Sequence, residues 1–235
     1  MANPTQESAA QSAVLQRIRH AILDGEWPPE HRLAPAALAT RFDTSTTVVR
    51  EALTRLTGEH LVESRTNRGF FIPRLDLREF SDLTQLRIAT ETLALRLAIE
   101  RGDLLWEESL LAAHHRMLRT PRESKPGKLE FNEEWRVAHW SFHQTLLAGC
   151  GCDAMLRVAA MLAQSTDLYR RWAASAVIDG KRDIEEEHRE LLEATLARDT
   201  ERAVALLRHH LEETARIVTT GGLVLDRRSQ FAEDK

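Results

Sequence analysis

Residues 44–53, TSTTVVREAL, lie between LAPAALATRF at 33–42 and LVESRTNRGFFIP at 61–73. Apolar residues at helical spacing predict a short helix over 36–42. The segment TSTT is typical of a helix N-cap, because a Ser or Thr side chain accepts a hydrogen bond from the first turn. The sequence therefore predicts a second helix that begins in TSTT and continues through REAL.

The segment after this helix predicts a small β wing. Two β-prone runs, at 61–63 and 70–72, flank the turn residues Thr66, Asn67 and Gly69. Two helices joined by a tight turn and followed by a wing form a winged helix-turn-helix, whose second helix enters a DNA major groove. We therefore expect this part of the chain to bind double-stranded DNA.

Net charge differs between the two ends of the chain. The whole chain carries a formal charge of −4, but residues 1–75 hold nine arginines against eight acidic side chains, a net +1. Residues 76–235 hold 23 basic and 28 acidic side chains, a net −5. Only the first segment suits a polyanion. Its arginines around the predicted DNA-reading unit are Arg32, Arg41, Arg50, Arg65 and Arg68.

Composition is that of a globular protein. The 235 residues are 43% apolar and 29% charged, and the chain is long enough for two domains. The N-terminal segment MANPTQESAAQS lacks the apolar core of a signal peptide, and no run approaches the roughly 18 apolar residues that cross a bilayer. We expect a soluble, cytoplasmic protein with no membrane partner.

The periodicity predicts a mainly α fold. Apolar residues at helical spacing mark a first helix over 8–24, and the chain after residue 76 has the pattern of an antiparallel bundle of six to seven helices. We expect a winged helix-turn-helix domain at 8–75, an all-helical domain at 76–218 and a flexible tail at 219–235. The predicted bundle helices lie near 78–102, 104–119, 128–149, 153–174, 182–198 and 200–217.

Four of the ten histidines fall on the apolar faces of predicted bundle helices. His139 and His143 lie one turn apart, and His188 and His210 continue the apolar seams of two later helices. His209 falls on the polar face and is expected to contact water. A single inward histidine is best interpreted as a hydrogen-bonded core residue. Four imidazoles from three converging helices instead indicate a site for zinc, nickel or copper.

The N-terminal motif resembles that of bacterial GntR-type transcription regulators. The family pattern, approximately LGVSRTPVREAL followed by EGLV and RG, covers nearly all of residues 14–72. The matching residues are Leu33, Leu38, Ala39, Phe42, Ser45, Thr47, Val49, Arg50, Glu51, Ala52, Leu53, Leu56, Leu61, Val62, Arg68, Gly69 and Ile72. The resemblance implies that the residues contacting DNA or supporting the wing are Arg32, Ser45, Thr46, Thr47, Arg50, Arg68 and Gly69.

Three positions depart from the family pattern. Thr46 stands where the family usually has arginine, and Val48 where it has proline. A hydroxyl and a methyl group therefore replace a guanidinium that would bind guanine bidentately, which predicts a different operator half-site. The usual glycine of EGLV is His60, with Gly58 two places earlier, so the helix is expected to end differently.

The residues implied to contact DNA also have purely structural interpretations. Ser45 would serve only as an N-cap, and Gly69 would only form a turn. Arg50 would be held in an ion pair with Glu51 or Glu63. Both interpretations are open for each residue.

Residues 80–217 resemble the FCD ligand-binding domain of the FadR-like branch of GntR regulators. The family's D-x-x-FH is present as HWSFH, its EH-x-x-(I/L) as EHREL, and its final HL as HHL. Many members hold a metal with one Asp and three His. The resemblance implies a metal site formed by His139, His143, His188 and His210, with His139 in place of the usual Asp.

Loss of the aspartate changes the expected metal chemistry. Four neutral nitrogen donors disfavour manganese and favour a divalent transition metal such as zinc or nickel. The uncompensated positive charge would also attract an anionic effector. The alternative is that His139 does not bind the metal, which leaves three histidines and open positions.

The resemblance also implies a small carboxylate effector, because effectors of the family commonly bind the metal and an arginine beside it. Arg87 occupies the arginine of the family's R-x-x-x-E signature and would pair with the effector carboxylate. An i,i+4 ion pair with Glu91 on the helix surface explains Arg87 equally well.

These features predict a ligand-responsive transcription regulator that binds a pseudo-palindromic operator as a homodimer, not an enzyme. One alternative is a metal-free regulator of a larger acyl ligand, which the inward histidines disfavour. The other is a helical-bundle metalloenzyme. A di-iron carboxylate site needs two Glu-x-x-His pairs, and only Glu185 with His188 fits this spacing.

Overall fold

The protein folds into two compact units, one formed mainly by the chain up to Leu77 and the other beginning at Arg78. The computed structural model describes residues 4–23, 25–74, 76–123, 132–172 and 182–220. The predicted mainly helical fold is confirmed, with one small sheet in the first unit. No helix in these described ranges is both long and apolar enough to span a membrane.

The first unit is a winged helix-turn-helix. Its helices pack around a fully apolar centre, which explains their amphipathic sequences. Its elements are α1 (Pro4–Leu23), β1 (Arg32–Leu33), α2 (Pro35–Phe42), α3 (Thr46–Gly58), β2 (Glu63–Arg65) and β3 (Gly69–Phe71). The fully buried large side chains are Ile18, Ile22, Leu33, Leu53, Leu56 and Ile72.

The second helix of this motif has defined caps at both ends. Ser45 caps α3, since its hydroxyl accepts a hydrogen bond from the Val48 backbone N–H at 3.2 Å. At the other end the Leu61 N–H donates to the Leu56 carbonyl at 3.0 Å, which closes a Schellman motif. That motif requires a left-handed residue, and His60 adopts φ +58° there, at the position of the family's usual glycine.

The wing is a three-stranded antiparallel sheet in the order β1-β3-β2. The strand predicted at 61–63 lies instead at Glu63–Arg65, because Leu61 and Val62 are buried at the exit of α3. Their β-prone side chains reflect burial and not strand pairing. Strand β1 has only two residues and was not predicted.

The second unit contains six helices within the described residues. Five both begin and end within three residues of the prediction, and the segment predicted to open the third at 128–131 lies outside the described residues. The last helix continues through Thr220, and the rest of the predicted tail also lies outside them. The helices are α4 (Leu77–Arg101), α5 (Leu104–Arg119), α6 (Glu133–Ala148), α7 (Asp153–Trp172), α8 (Ile184–Leu196) and α9 (Thr200–Thr220).

The indole of Trp106 joins α4, α5 and α6 at one end of this unit. Its Nε1–H donates to the Thr145 carbonyl at 2.8 Å. A Cβ added at Gly102 would lie 2.1 Å from the Trp106 ring, and one at Gly149 would lie 2.9 Å from it. The absence of side chains at these glycines therefore lets the Trp106 ring pack against the backbone. This packing sets the position of α6, which carries two of the four histidines.

Candidate metal centre and nucleic-acid interface

The structure brings the four predicted histidines together in the helical unit. His139 and His143 come from α6, His188 from α8 and His210 from α9. All four are buried, and one ring nitrogen from each lies within 4.8 Å of the others. Their ring centroids are 4.6 to 6.2 Å apart.

One pair of these nitrogens has the spacing of two ligands in a tetrahedral site. The Nε2 atoms of His143 and His188 are 3.2 Å apart. Zinc–nitrogen bonds of about 2.0–2.1 Å place two tetrahedral ligands about 3.3 Å apart.

His139 belongs to this cluster and also stacks on Trp135. The two rings lie 4.8 Å apart with an interplanar angle of 22°. The guanidinium of Arg122 covers the Trp135 ring at 5.8 Å from its centroid. The residue that replaces the family's aspartate is therefore held in place by an aromatic contact.

A carboxylate and a guanidinium hold His210 from outside the cluster. Its Nδ1 lies 2.8 Å from Glu187 Oε2 and 3.1 Å from Arg182 Nη2. Arg182 binds the Glu187 carboxylate through two nitrogens at 2.5 Å each. It also donates to the His210 carbonyl and to the Thr214 hydroxyl, both at 2.8 Å. The sequence pattern identified Glu187 only as part of a motif and did not identify Arg182.

Burial keeps His188 neutral. Desolvation lowers its pKa to about 3, and a hydrogen bond to the Ile184 backbone only partly opposes this shift. A neutral imidazole is the form that binds metals.

Charged groups of both signs lie beside the cluster. Burial lowers the pKa of the Arg122 guanidinium, and the nearby charge of Arg182 lowers it further. Glu185 and Glu187 act in the opposite direction. An anion beside Arg122 would act in the same direction as these carboxylates and stabilise the charged form of its guanidinium.

A fifth buried histidine, His114 on α5, was missed in the sequence. Its ring contacts Phe142 edge-on at 5.5 Å between centroids. Burial lowers its pKa, and His115 adds to that effect. The signal was present, because His114 follows Leu110 and precedes Met117 at helical spacing, and all three are buried.

Arg87 forms the predicted ion pair with Glu91, but inside the protein and not on the helix surface. Its Nε lies 2.5 Å from Glu91 Oε1, and its Nη1 donates to Thr166 at 3.1 Å. Arg87 is 6% exposed and Glu91 2% exposed. The second oxygen of Glu91 has no hydrogen bond to any residue that the structure describes.

The seven residues implied to contact DNA lie on α3 and the wing. Ser45, Thr46, Thr47 and Arg50 occupy the exposed start of α3. Arg32 on β1 extends over the wing turn, where a Cβ added at Gly69 would lie 3.9 Å from its Nε. Gly69 itself has φ +98°. Arg68 precedes it in the same turn, and its side chain is exposed.

The five arginines around the DNA-reading unit divide into two groups. Arg41 pairs with Glu26, and Arg65 pairs with Glu63 at 2.9 Å and stacks on an aromatic ring of the wing. These two stabilise the unit itself. By contrast, no ion pair to another described residue involves the exposed arginines Arg32, Arg50 and Arg68. Their guanidinium groups can bind phosphates or bases.

Two family profiles match the two units. The profile of the FCD domain matches residues 82–213, and that of the gntR family of bacterial regulatory proteins matches residues 10–72. Together they span the winged helix-turn-helix and the helical unit that contains the four histidines.

Two relatives of similar length are named as HTH-type transcriptional regulators. The chain is 33% identical over 212 residues to the uncharacterized HTH-type transcriptional regulator BphR of Paraburkholderia xenovorans (strain LB400), covering 90% of this chain and 86% of that protein. It is 31% identical to the HTH-type transcriptional repressor GlaR of Escherichia coli (strain K12), covering 83% and 89%. The structure of E. coli McbR/YncC covers 90% of this chain and 97% of its own with a TM-score of 0.69; at 18% identity this is a likeness of fold.

Proposed function

Because the chain belongs to the GntR family of bacterial regulatory proteins and contains an FCD domain, we propose that a small carboxylate controls its binding to operator DNA. The family assignment makes it a DNA-binding transcription regulator and not an enzyme. In the proposal, residues 8–75 read DNA and residues 76–218 hold the effector at a metal ion. The observation that carries it is the buried cluster of His139, His143, His188 and His210.

The exposed arginines support operator binding by the start of α3 and by the wing. Arg50 lies on the helix that enters the major groove, and Arg32 and Arg68 flank the wing turn. Ser45 caps the helix and is exposed, so its structural role and a DNA contact are compatible. Thr46 offers a hydroxyl and a methyl group to the bases, which predicts an operator different from that of relatives with arginine at this position.

A homodimer follows from the size of one reading head. A single α3 covers too few base pairs to discriminate an operator in a genome. Two copies bound to a pseudo-palindrome multiply their ratios of specific to nonspecific affinity, which gives the discrimination that one copy lacks. The twofold symmetry of the operator then mirrors that of the protein.

The donor set of the cluster fits a divalent transition metal. Four nitrogens and no carboxylate favour zinc or nickel over manganese, magnesium or calcium. When bound, the metal would supply a buried positive charge and a coordination position for a carboxylate oxygen. Burial of His188 keeps its imidazole deprotonated for this role at neutral pH.

Arginines of the helical unit would recognise the rest of the effector. We place Arg87 among them, since its Nη2 forms no hydrogen bond with a described residue while Glu91 and Thr166 orient the other two nitrogens. A carboxylate effector would then lie between the metal and a positioned guanidinium. Effector binding would favour one arrangement of the two helical domains of the dimer. The ratio of the effector's affinities for the two arrangements would then set the size of the change in operator affinity.

A metal-free regulator of a larger acyl ligand is the second candidate. It would need an apolar cavity in place of the cluster, but the space between α6, α8 and α9 contains four imidazoles with Phe142 against them. The buried cluster therefore favours the metal and the small effector.

Metal analysis tests the site directly. We expect the purified wild-type protein to hold one zinc or nickel ion per chain and His139→Ala to hold less. The matched control is His209→Ala, because His209 is exposed on α9 next to a cluster residue. Unchanged metal content in His139→Ala would overturn the four-histidine site, and no metal in the wild type would overturn the metal altogether.

A gel shift tests the regulation. The purified protein is expected to retard DNA from the region upstream of its own gene or of a neighbouring gene, and one of a set of small di- and hydroxycarboxylates should change the midpoint. Treatment with a chelator should abolish the carboxylate effect while leaving DNA binding. Failure to retard any adjacent promoter would contradict operator binding there.

A further inference from the structure

The Nδ1 atom of His210 faces two groups that make opposite demands on its proton. Glu187 Oε2, at 2.8 Å, accepts hydrogen bonds only, so it favours a proton on Nδ1. Arg182 Nη2, at 3.1 Å, donates only, so it would favour a lone pair on Nδ1. A neutral imidazole carries its proton on one nitrogen, and therefore the two demands cannot both be met.

The hydrogen bonds of Arg182 decide between them. Its Nη2 has two hydrogens, and the structure directs one to Glu187 Oε2 at 2.5 Å and the other to the His210 carbonyl at 2.8 Å. No hydrogen of Nη2 is left for Nδ1. The imidazole proton therefore lies on Nδ1 and is donated to Glu187, and the lone pair lies on Nε2, the nitrogen on the opposite side of the ring.

Arg182 also keeps the carboxylate in place. It binds both oxygens of Glu187, and through Thr214 and the His210 carbonyl it is bound to α9 as well. The side chain of Arg182 is 9% exposed and that of Glu187 20%. The Glu187 carboxylate on α8 is thereby held against the His210 imidazole on α9.

We infer that Glu187 is a positioning residue that sets the tautomer of His210 and presents its Nε2 to the histidine cluster, with Arg182 as the clamp that holds Glu187. The inference rests on the proposed metal site for its effect on metal affinity, but the tautomer itself is a property of the metal-free protein. A carboxylate on the outer nitrogen of a metal-binding histidine fixes the ring and increases its basicity.

The geometry also predicts what removal of Glu187 does. In Glu187→Ala the Nη2 hydrogen that bound the carboxylate becomes available to Nδ1, only 3.1 Å away. Arg182 would then donate to Nδ1 and move the imidazole proton to Nε2, which removes the lone pair that His210 would offer to a metal. The double variant Glu187→Ala/Arg182→Ala also lacks the Arg182 donor. With neither an acceptor nor a donor at Nδ1, His210 should adopt a mixture of both tautomers.

The experiment combines two measurements on the wild type and these variants. Long-range ¹H–¹⁵N NMR of the imidazoles in chelator-treated protein reports the His210 tautomer, assigned by comparison with His210→Gln. Competition with a chromogenic chelator reports zinc affinity. The matched control is Glu186→Ala, because Glu186 precedes Glu187 on α8, is exposed and pairs with Arg189. Circular dichroism checks that each variant is folded.

We expect the Nδ1–H tautomer of His210 in the wild type and in Glu186→Ala, and the Nε2–H tautomer in Glu187→Ala. Zinc affinity should fall about 10- to 100-fold in Glu187→Ala and recover in part in the double variant. An unchanged tautomer in Glu187→Ala overturns the inference. Correct tautomers in a wild type that binds no zinc would instead overturn the proposed metal site and leave the positioning role standing.

Discussion

The two units treat their functional side chains in opposite ways. In the winged helix-turn-helix, all candidate DNA contacts except the half-buried Gly69 are exposed, and the core beneath them is apolar. In the helical unit, the candidate ligands are themselves part of the core, with His188 only 1% exposed. In the first unit the functional side chains lie outside the core, whereas in the second they form part of the core.

This difference determines how substitutions act. A change at an exposed contact such as Arg50 should alter DNA affinity and leave the free energy of unfolding nearly unchanged. A change among buried polar residues should alter both stability and ligand binding, since each imidazole or carboxylate is also a packing and hydrogen-bonding partner. Four predictions test this contrast.

The largest effect is expected from a single methyl group in the helical unit. Gly102→Ala would place a Cβ 2.1 Å from the Trp106 ring and 2.6 Å from the Ala98 carbonyl, so the joint between α4 and α5 must shift. We expect a loss of about 3 kcal/mol in the free energy of unfolding, at the upper end of typical overpacking. Urea denaturation followed by tryptophan fluorescence measures it.

The matched control for this substitution lies in the winged unit. Gly58 ends α3, and a Cβ added there meets nothing within 4 Å. Gly58→Ala should be neutral or stabilising by up to about 1 kcal/mol, because alanine favours the helix. Equal losses in both variants would contradict the difference in packing between the two units.

The second prediction concerns the exposed face of α3. Arg50→Ala should reduce operator affinity about 10- to 100-fold, which corresponds to roughly 1–3 kcal/mol for an arginine at the DNA, with no change in melting temperature. Fluorescence anisotropy with labelled operator measures affinity. Arg55→Ala is the control, because Arg55 is exposed on the same helix but turned by about 140°. A similar loss of affinity in both variants would argue for nonspecific charge and against a contact by Arg50.

The third prediction uses pH to separate the units. Burial lowers the pKa of His188 from its ordinary value of 6.5 to about 3, so between these values the unfolded chain binds a proton that the folded chain does not. Its contribution to stability is complete above pH 6.5 and declines as pH falls toward 3. Between pH 7 and 5 the metal-free helical unit should lose about 2 kcal/mol.

Hydrogen exchange measured by NMR follows both units in one sample. The three histidines of the winged unit, His20, His31 and His60, are all exposed, so its stability should change much less over the same range. His188→Gln should reduce the pH dependence of the helical unit, and the exposed His209→Gln should not. An unchanged slope in His188→Gln would remove His188 as its cause.

Sequence patterns were informative wherever the signal was local. Helical periodicity predicted that His210 is buried and that the adjacent His209 is exposed. The structure confirms both predictions. The Ser45 cap was likewise predictable, because an N-cap and its helix are neighbours in the chain. Helical periodicity and caps need no knowledge of the rest of the fold.

Contacts between distant elements were not predictable in this way. The clamp of Arg182 on Glu187 and His210 depends on how the start of α8 meets α9, and nothing in the local pattern specifies that geometry. The ion pair of Arg87 with Glu91 was one of two alternatives that the sequence left open, and it was expected on the helix surface and not in the interior. Burial of such a pair depends on the helices that cover it, here including Thr166 of α7.

The smallest predicted effect is a gain in the winged unit, at a position where the chain departs from its family. His60 holds φ +58°, a left-handed conformation that L side chains other than Asn and Asp adopt at a cost, and its side chain is exposed. His60→Gly should therefore raise the free energy of unfolding by about 1 kcal/mol, since glycine adopts this conformation without the clash. The control is Glu59→Gly, because Glu59 has φ −97° and gains nothing from glycine. If thermal unfolding shows both variants to be destabilised equally, the Schellman geometry at His60 is not a source of strain, and the histidine there stabilises this exit as well as the family's glycine would.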